Sequence, residues 1–132
     1  KRLISPDTAT VGQVFLTRKA GVPELVSVTG SVKVFEALEL MDEYNLSTMP
    51  VIEGKECIGS IREASILEKV MNDRTVSGKE VKDIMDEKLP ILDFNSAFPA
   101  ALEILYRNNA VLVSQHGTIK GILTRYDVLD LA

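Results

Sequence analysis

Apolar residues recur along the chain in two rhythms, one helical and one alternating, and their succession predicts the elements. Val11, Val14, Phe15 and Leu16 follow Thr10 at helical spacing and predict a short first helix. Thr17 to Pro23 contains Gly21 and Pro23 and predicts a loop, and Glu24 to Val28 alternates with β-branched residues as a strand does. Ser31, after Gly30, is placed to cap a second helix with Val34, Leu38 and Met41 on one face. Glu36, Glu39, Asp42 and Glu43 lie on its solvated side, and Asn45 ends it. Met49 to Ile52 and Cys57 to Ile61 flank Glu53-Gly54-Lys55 and predict a hairpin. A helix from Ala64 to Asn72 buries Ile66, Leu67, Val70 and Met71, and Asp73 to Gly78 reads as a polar link.

The same order then returns. Val81 to Met85 predicts a helix, Leu89 to Asp93 a strand, and Ser96 to Arg107 a helix with Pro99 in its first turn. Val111 to Val113 and Ile119 to Leu123 predict a hairpin, and Arg125 to Leu131 a closing helix. Val11-Gly12-Gln13-Val14-Phe15 is echoed by Val81-Lys82-Asp83-Ile84-Met85, and Phe35 to Met41 by Pro99 to Leu105. Cys57-Ile58-Gly59-Ser60-Ile61 is echoed by Ile119-Lys120-Gly121-Ile122-Leu123, with Ile66-Leu67 answering Val128-Leu129. Two copies of one unit, each too small to bury its apolar face alone, predict an α+β protein in which two pseudosymmetric repeats pack sheet to sheet. The boundaries are 1–10 for a lead-in, 11–72 for repeat 1, 73–80 for a link and 81–132 for repeat 2.

Composition narrows the function. With 45% hydrophobic residues over 132 positions there is enough apolar content for a core, and a net charge of −4 without clustered Lys and Arg argues against nucleic acid as partner. No apolar run approaches a membrane span and no signal-peptide pattern opens the chain, which points to a soluble, cytoplasmic protein. The single cysteine, Cys57, fits a reducing compartment and reads as a small core residue. Lys1 rather than Met stands first, which implies a piece of a longer protein. No Gly-rich phosphate loop, metal-ligand cluster or nucleophile beside a base is present, so catalysis and a metal site are not expected. His116 falls in a turn and is assigned no chemistry.

One stretch carries candidate chemistry: Gly121-Ile122-Leu123-Thr124-Arg125-Tyr126-Asp127, a strand end, a hydroxyl and then an acid at a helix start. Thr124 is a natural N-cap, and Asp127 can accept hydrogen bonds from two neighbouring sugar hydroxyls. A plainer role competes with that one, a capping box in which Asp127 closes the Thr124 backbone N–H.

With the repeats and this motif together, the chain resembles a tandem pair of CBS domains, a Bateman module of βαββα-type repeats, over nearly its whole length. The ribose signature of that family (glycine, apolar residue, any residue, Thr or Ser, two residues, Asp) is intact as Gly121, Ile122, Thr124 and Asp127. Within the family the chain is most similar to the module that follows the catalytic domain of pyridoxal-phosphate-dependent cystathionine β-synthase. That likeness is carried by the opening Ser5 to Gly12, the turn Leu46 to Val51 and the shortened run Asn108 to Val113. The resemblance implies ribose contacts from Thr124 and Asp127 flanked by Ile122 and Tyr126. It implies adenine contacts from the opposite repeat: Leu46, Ser47 and Thr48, with Glu24, Leu25 and Val26. Repeat 1 offers Arg62 and Ser65 at the positions of Thr124 and Asp127, so one competent and one degenerate site are expected.

The resemblance supplies most of a tilt in the expected ligand to S-adenosylmethionine over AMP or ATP, and the lack of an evident basic cluster near these residues adds to it. The reading is then a regulatory, non-catalytic module that forms homodimers, binds no pyridoxal phosphate itself and controls an attached catalytic domain, as in cystathionine β-synthase. A structural dimerisation module with a vestigial pocket is the alternative, and a small enzyme on the same scaffold has no residue in its favour.

Overall fold

The computed structural model describes residues 7–18 and 25–129. The chain divides into two compact units, one of Lys1–Leu25 with Leu89–Ala132 and one of Val26–Lys88. The architecture is α+β, with a three-stranded sheet in the first unit and a two-stranded sheet in the second.

The first unit holds α1 (Val11–Leu16), β3 (Ile91–Asp93), α4 (Phe98–Arg107), β4 (Ala110–Gln115), β5 (Thr118–Thr124) and α5 (Arg125–Leu129). Helix α1 opens the sequence repeat 1, yet it packs here with the elements of repeat 2. Its start is closed by reciprocal bonds between Thr10 and Gln13, and Val11 N–H donates to Ser96 O at 2.8 Å. Val11, Val14 and Phe15 join Phe98, Ala101, Leu105, Val111, Val113 and Leu123 in one core. Gly12 is required in this packing: its N–H donates to Phe94 O at 2.8 Å, and a Cβ there would run into the Phe94 ring. Strand β3 is parallel to β4 and β4 antiparallel to β5. The β4–β5 loop is His116-Gly117, both with positive φ (54° and 76°), as a type I′ turn demands.

The second unit holds α2 (Val34–Glu43), β1 (Thr48–Glu53), β2 (Glu56–Arg62), α3 (Glu63–Asn72) and two 3₁₀ turns, Arg74–Gly78 and Val81–Asp83. Its core uses equivalent positions: Val34, Ala37 and Met41 from α2, Met49 and Val51 from β1, Ile61 from β2, Ile66 from α3, and Val81. Helix α2 stops because Asn45 adopts a left-handed φ of 54°. Leu46 N–H returns to Met41 O at 2.8 Å and Asn45 N–H to Asp42 O at 3.2 Å, a Schellman closure with asparagine in place of glycine.

The second unit departs from expectation in several places. The strand expected over Glu24 to Val28 is reduced, within the described residues, to one parallel bridge between Val28 and Val51. The cause lies in its partner. In the first unit Leu112 N–H donates to Pro90 O at 2.8 Å, whereas the equivalent position in β1 is Pro50, which has no N–H to give. The cap of α2 is Lys33 rather than Ser31, because Glu36 reaches back to the Lys33 N–H at 3.1 Å and Lys79 O takes the Val34 N–H at 2.9 Å. Val81 to Met85 is a 3₁₀ turn followed by coil rather than a helix. The polar link also forms a 3₁₀ turn, capped by Asp73 and anchored by buried Val76.

Burial along α3 is narrower than its pattern implies: Ile66 is buried, Val70 half-buried, and Leu67 and Met71 are exposed. Leu16 and Leu129 are exposed as well, while Val128 packs on the first core and Leu131 lies outside the described residues. Cys57 is a buried free thiol. No helix among the described residues is long and apolar enough to cross a membrane, and no group of three or more His, Cys, Asp or Glu among them could hold a metal.

Candidate functional site

The corner where β5 meets α5 gathers Ile122, Thr124 and Asp127 in the first unit. Ile122 is buried in β5, opposite Leu112, and Thr124 ends the strand opposite Ala110. Because α5 starts at Arg125, Asp127 sits in its first turn. There Asp127 Oδ2 accepts the Thr124 backbone N–H at 2.8 Å and the Thr124 hydroxyl at 3.2 Å. The capping role weighed from the sequence is therefore present. It does not exhaust the carboxylate: Oδ1 faces Arg18 Nε at 3.6 Å, and the side chain keeps 19% of its surface exposed. A carboxylate offers about four acceptor positions and Thr124 uses two, so a ribose hydroxyl can still be served without undoing the cap.

Arg18 is the residue that sequence reasoning missed. It follows α1, its side chain is only 11% exposed, and its guanidinium lies 5.2 Å from the centroid of the Phe15 ring. Nothing in the linear sequence links it to Asp127, because the contact exists only once α1 has packed with repeat 2. Arg125, by contrast, is turned away from the corner. Its Nε donates to Leu105 O at 2.8 Å and Nη2 to Tyr106 O at 3.3 Å, closing free carbonyls at the end of α4. Tyr126 is 77% exposed, so its ring covers little at this corner.

The remaining candidates are distributed as follows. Glu24 lies outside the described residues, and Leu25, half-buried, ends the N-terminal segment of the first unit. Val26, Leu46, Ser47 and Thr48 belong to the second unit. Val26 and Leu46 pack against its core, and Ser47 O accepts the Glu63 N–H at 3.0 Å. Thr48 is 6% exposed and its hydroxyl has no hydrogen-bond partner among the described residues, an unusual state for a buried polar atom.

The corresponding corner of the second unit has different chemistry. Arg62 stands opposite Thr48 as Thr124 stands opposite Ala110, and it forms an exposed ion pair with Asp86 at 3.7 Å. Ser65, at the place of Asp127, accepts a hydrogen bond from Lys69 Nζ at 2.8 Å. The position that Asp127 holds in the first unit thus carries a hydroxyl and no carboxylate in the second.

Two similar cores, each closed by the opening segment of the other repeat, define a tandem module of two repeats. The chain belongs to the CBS domain family, which matches residues 11–72 and 81–132. Among curated proteins it is 28% identical over 126 residues to an inosine-5′-monophosphate dehydrogenase of Methanocaldococcus jannaschii, a match covering 90% of this chain and 24% of that enzyme. The chain spans 37% and 61% of two further relatives from that organism, so it covers less than two thirds of each. Among solved structures, a CBS domain-containing protein of unknown function from Bacillus anthracis superposes with a TM-score of 0.78 at 22% identity, covering 93% of this chain and 91% of that one. CBSX2, solved in complex with AMP, superposes with a TM-score of 0.74 at 27% identity, covering 92% and 94%.

Proposed function

We propose that this chain is a regulatory module that binds an adenosyl ligand and biases an attached or partner enzyme, performing no catalysis itself. The observation that carries the reading is Asp127, a half-buried carboxylate with its outer oxygen unclaimed by the cap, next to the Thr124 hydroxyl in an intact ribose motif. The ligand complex of CBSX2 supports an adenine nucleotide as occupant. Adenine contacts from Glu24, Leu25, Val26, Leu46, Ser47 and Thr48 rest on the family pattern, and the unpartnered Thr48 hydroxyl supports that residue in particular.

The preference for S-adenosylmethionine rested mostly on the resemblance to the cystathionine β-synthase module, and in part on the lack of a basic cluster near the adenosyl residues. Arg18 beside Asp127 weakens the second ground, and the AMP complex of the similar CBSX2 supports a ligand of the AMP class. Two enzymes are candidates for the one it regulates. A cystathionine β-synthase rests on the opening Ser5 to Gly12, the Leu46 to Val51 turn and the shortened second repeat, whereas one curated relative is an inosine-5′-monophosphate dehydrogenase.

A second reading, an assembly module with a vestigial pocket, draws support from the structural use of Asp127 and from exposed Leu67 and Met71 on α3. Thermal-shift titration with AMP, ADP, ATP and S-adenosylmethionine separates the two. A ligand at a hundred times its Kd stabilises by about 2.7 kcal/mol and raises the melting temperature accordingly. No shift with any of the four at millimolar concentration leaves only the assembly role.

A further inference from the structure

Helix α3 carries an apolar stripe on its solvent side. Ala64, Leu67 and Met71 stand three and four residues apart, the spacing of one helix face, and all three are exposed while Ile66 faces the core. Met71, at 84% exposure, ends that stripe two residues before the C-cap Asp73. The chain has four methionines and one cysteine. Met41 and Met49 are wholly buried, and half-buried Met85 packs on the second core with its Sδ over Gly59. Cys57 is 3% exposed, and its Sγ donates to Gly59 O at 3.2 Å. Of these five sulfur-bearing side chains, Met71 alone is exposed.

Peroxides oxidise sulfur according to its access and, for a thiol, according to its deprotonation. An open thiolate is the better nucleophile, but burial and a donated S–H remove that advantage from Cys57. We propose that Met71 is the redox-modification site of this chain, and that its oxidation by hydrogen peroxide changes the α3 face without changing the fold. The Sδ lone pair attacks one peroxide oxygen, and an S–O bond forms as the O–O bond breaks. The departing oxygen takes the proton of the attacked one and leaves as water, so sulfur gives up two electrons and peroxide gains them. A thiol-driven reductase reverses the step: two thiols join as a disulfide, and the sulfoxide oxygen leaves as water. The sulfoxide puts a polar S=O group on a stripe that Ala64 and Leu67 leave apolar. Core packing is kept, because α3 reaches the second core through Ile66 and Val70. This chemistry needs no ligand at the Asp127 corner.

Brief exposure of the whole chain to dilute hydrogen peroxide at about pH 6, where thiols stay protonated, followed by peptide mapping in a mass spectrometer, tests it. Met71 should gain one oxygen about ten times faster or more than Met85 or Cys57, with Met41 and Met49 unreacted in the folded chain. The oxidised chain should leave a hydrophobic-interaction column earlier than the untreated one, and its melting temperature should move by no more than about 2 °C. Met71→Gln, with a polar side chain of similar length, should reproduce the early elution without oxidant, and Met71→Leu should remove the response to peroxide. Oxygen gained at Cys57 or Met85 as fast as at Met71 overturns the assignment. Selective oxidation of Met71 that leaves elution unchanged, or that lowers the melting temperature further than this, overturns the claim that the face responds while the fold does not.

Discussion

Asp127 accepts the Thr124 N–H at 2.8 Å, so the residue assigned to the ribose also closes the first turn of the helix on which it rides. Removing the side chain therefore tests two things at once. Asp127→Ala should cost about 1 kcal/mol of stability by orphaning that partly buried N–H, besides any loss of binding. Asp127→Asn keeps an acceptor for Thr124 and loses only the charge, so its melt should lie closer to wild type. Chemical denaturation of both variants checks this. Equal stability losses would mean the charge, through Arg18, matters more than the cap.

Gly12 and Phe94 make a similarly specific pair, because α1 seats its main chain against the aromatic ring. The second unit exchanges the roles: Lys82 N–H donates to Gly30 O at 2.9 Å, with the side chain on the partner that is glycine's counterpart. Gly12→Ala should destabilise by about 1–3 kcal/mol through overpacking. Combined with Phe94→Leu, the loss should shrink by at least about 0.5 kcal/mol, measured as a double-mutant cycle. Strict additivity would show that the ring is not what excludes the methyl group.

Local pattern carried much of the fold. The helical spacing of Val34, Leu38 and Met41, the turn residues Gly54 and His116-Gly117, and the Thr10 cap are each determined within a few residues, and they are legible for that reason. So is the Thr124–Asp127 motif, although only geometry reveals that one oxygen caps while the other faces a cation. What could not be read depends on distant partners. Arg18 finds Asp127 only after α1 has joined the other repeat's core, and Leu67 and Met71 look buried by spacing when α3 covers the core mainly with Ile66. The strand over Glu24 to Val28 has the right composition, but it faces Pro50.

That last point can be reversed by one substitution. Pro50→Val supplies the N–H that its counterpart Leu112 uses to reach Pro90 O, and the backbone of Val26 is the corresponding acceptor. Amide hydrogen exchange should then show a slowly exchanging N–H at position 50 and stronger protection at Val28. Fast exchange at position 50 in a folded variant would rule out the proline as the reason that the strand is short.

Asp73 links pH to stability. Its carboxylate accepts the Thr75 hydroxyl at 2.7 Å and the Thr75 N–H at 3.0 Å, and these bonds, the hydroxyl's first, hold its pKa below the usual carboxylate value. A group lowered on folding stabilises above its unfolded pKa, about 4, and that contribution disappears as pH falls through the lower folded value. Asp73→Asn should therefore be less stable than wild type near neutrality, with the difference closing below pH 4. Urea midpoints across pH 2–7 give the comparison, and a gap constant across that range would exclude the linkage.

The asymmetry between the two corners gives the strictest test of how the module counts ligands. Ser65 is occupied by Lys69, and Arg62 is paired with Asp86, so the second unit presents no carboxylate where the first presents Asp127. If those side chains alone make that corner incompetent, wild type should bind one AMP per chain. The double variant Arg62→Thr with Ser65→Asp should approach two, because the hydroxyl and the acid then stand in the same strand-to-helix setting as Thr124 and Asp127. Calorimetric stoichiometry with AMP decides the point. A wild-type value of two would show that the corner acid is dispensable for binding, and a variant that stays at one while folding normally would place the limit in residues other than these two.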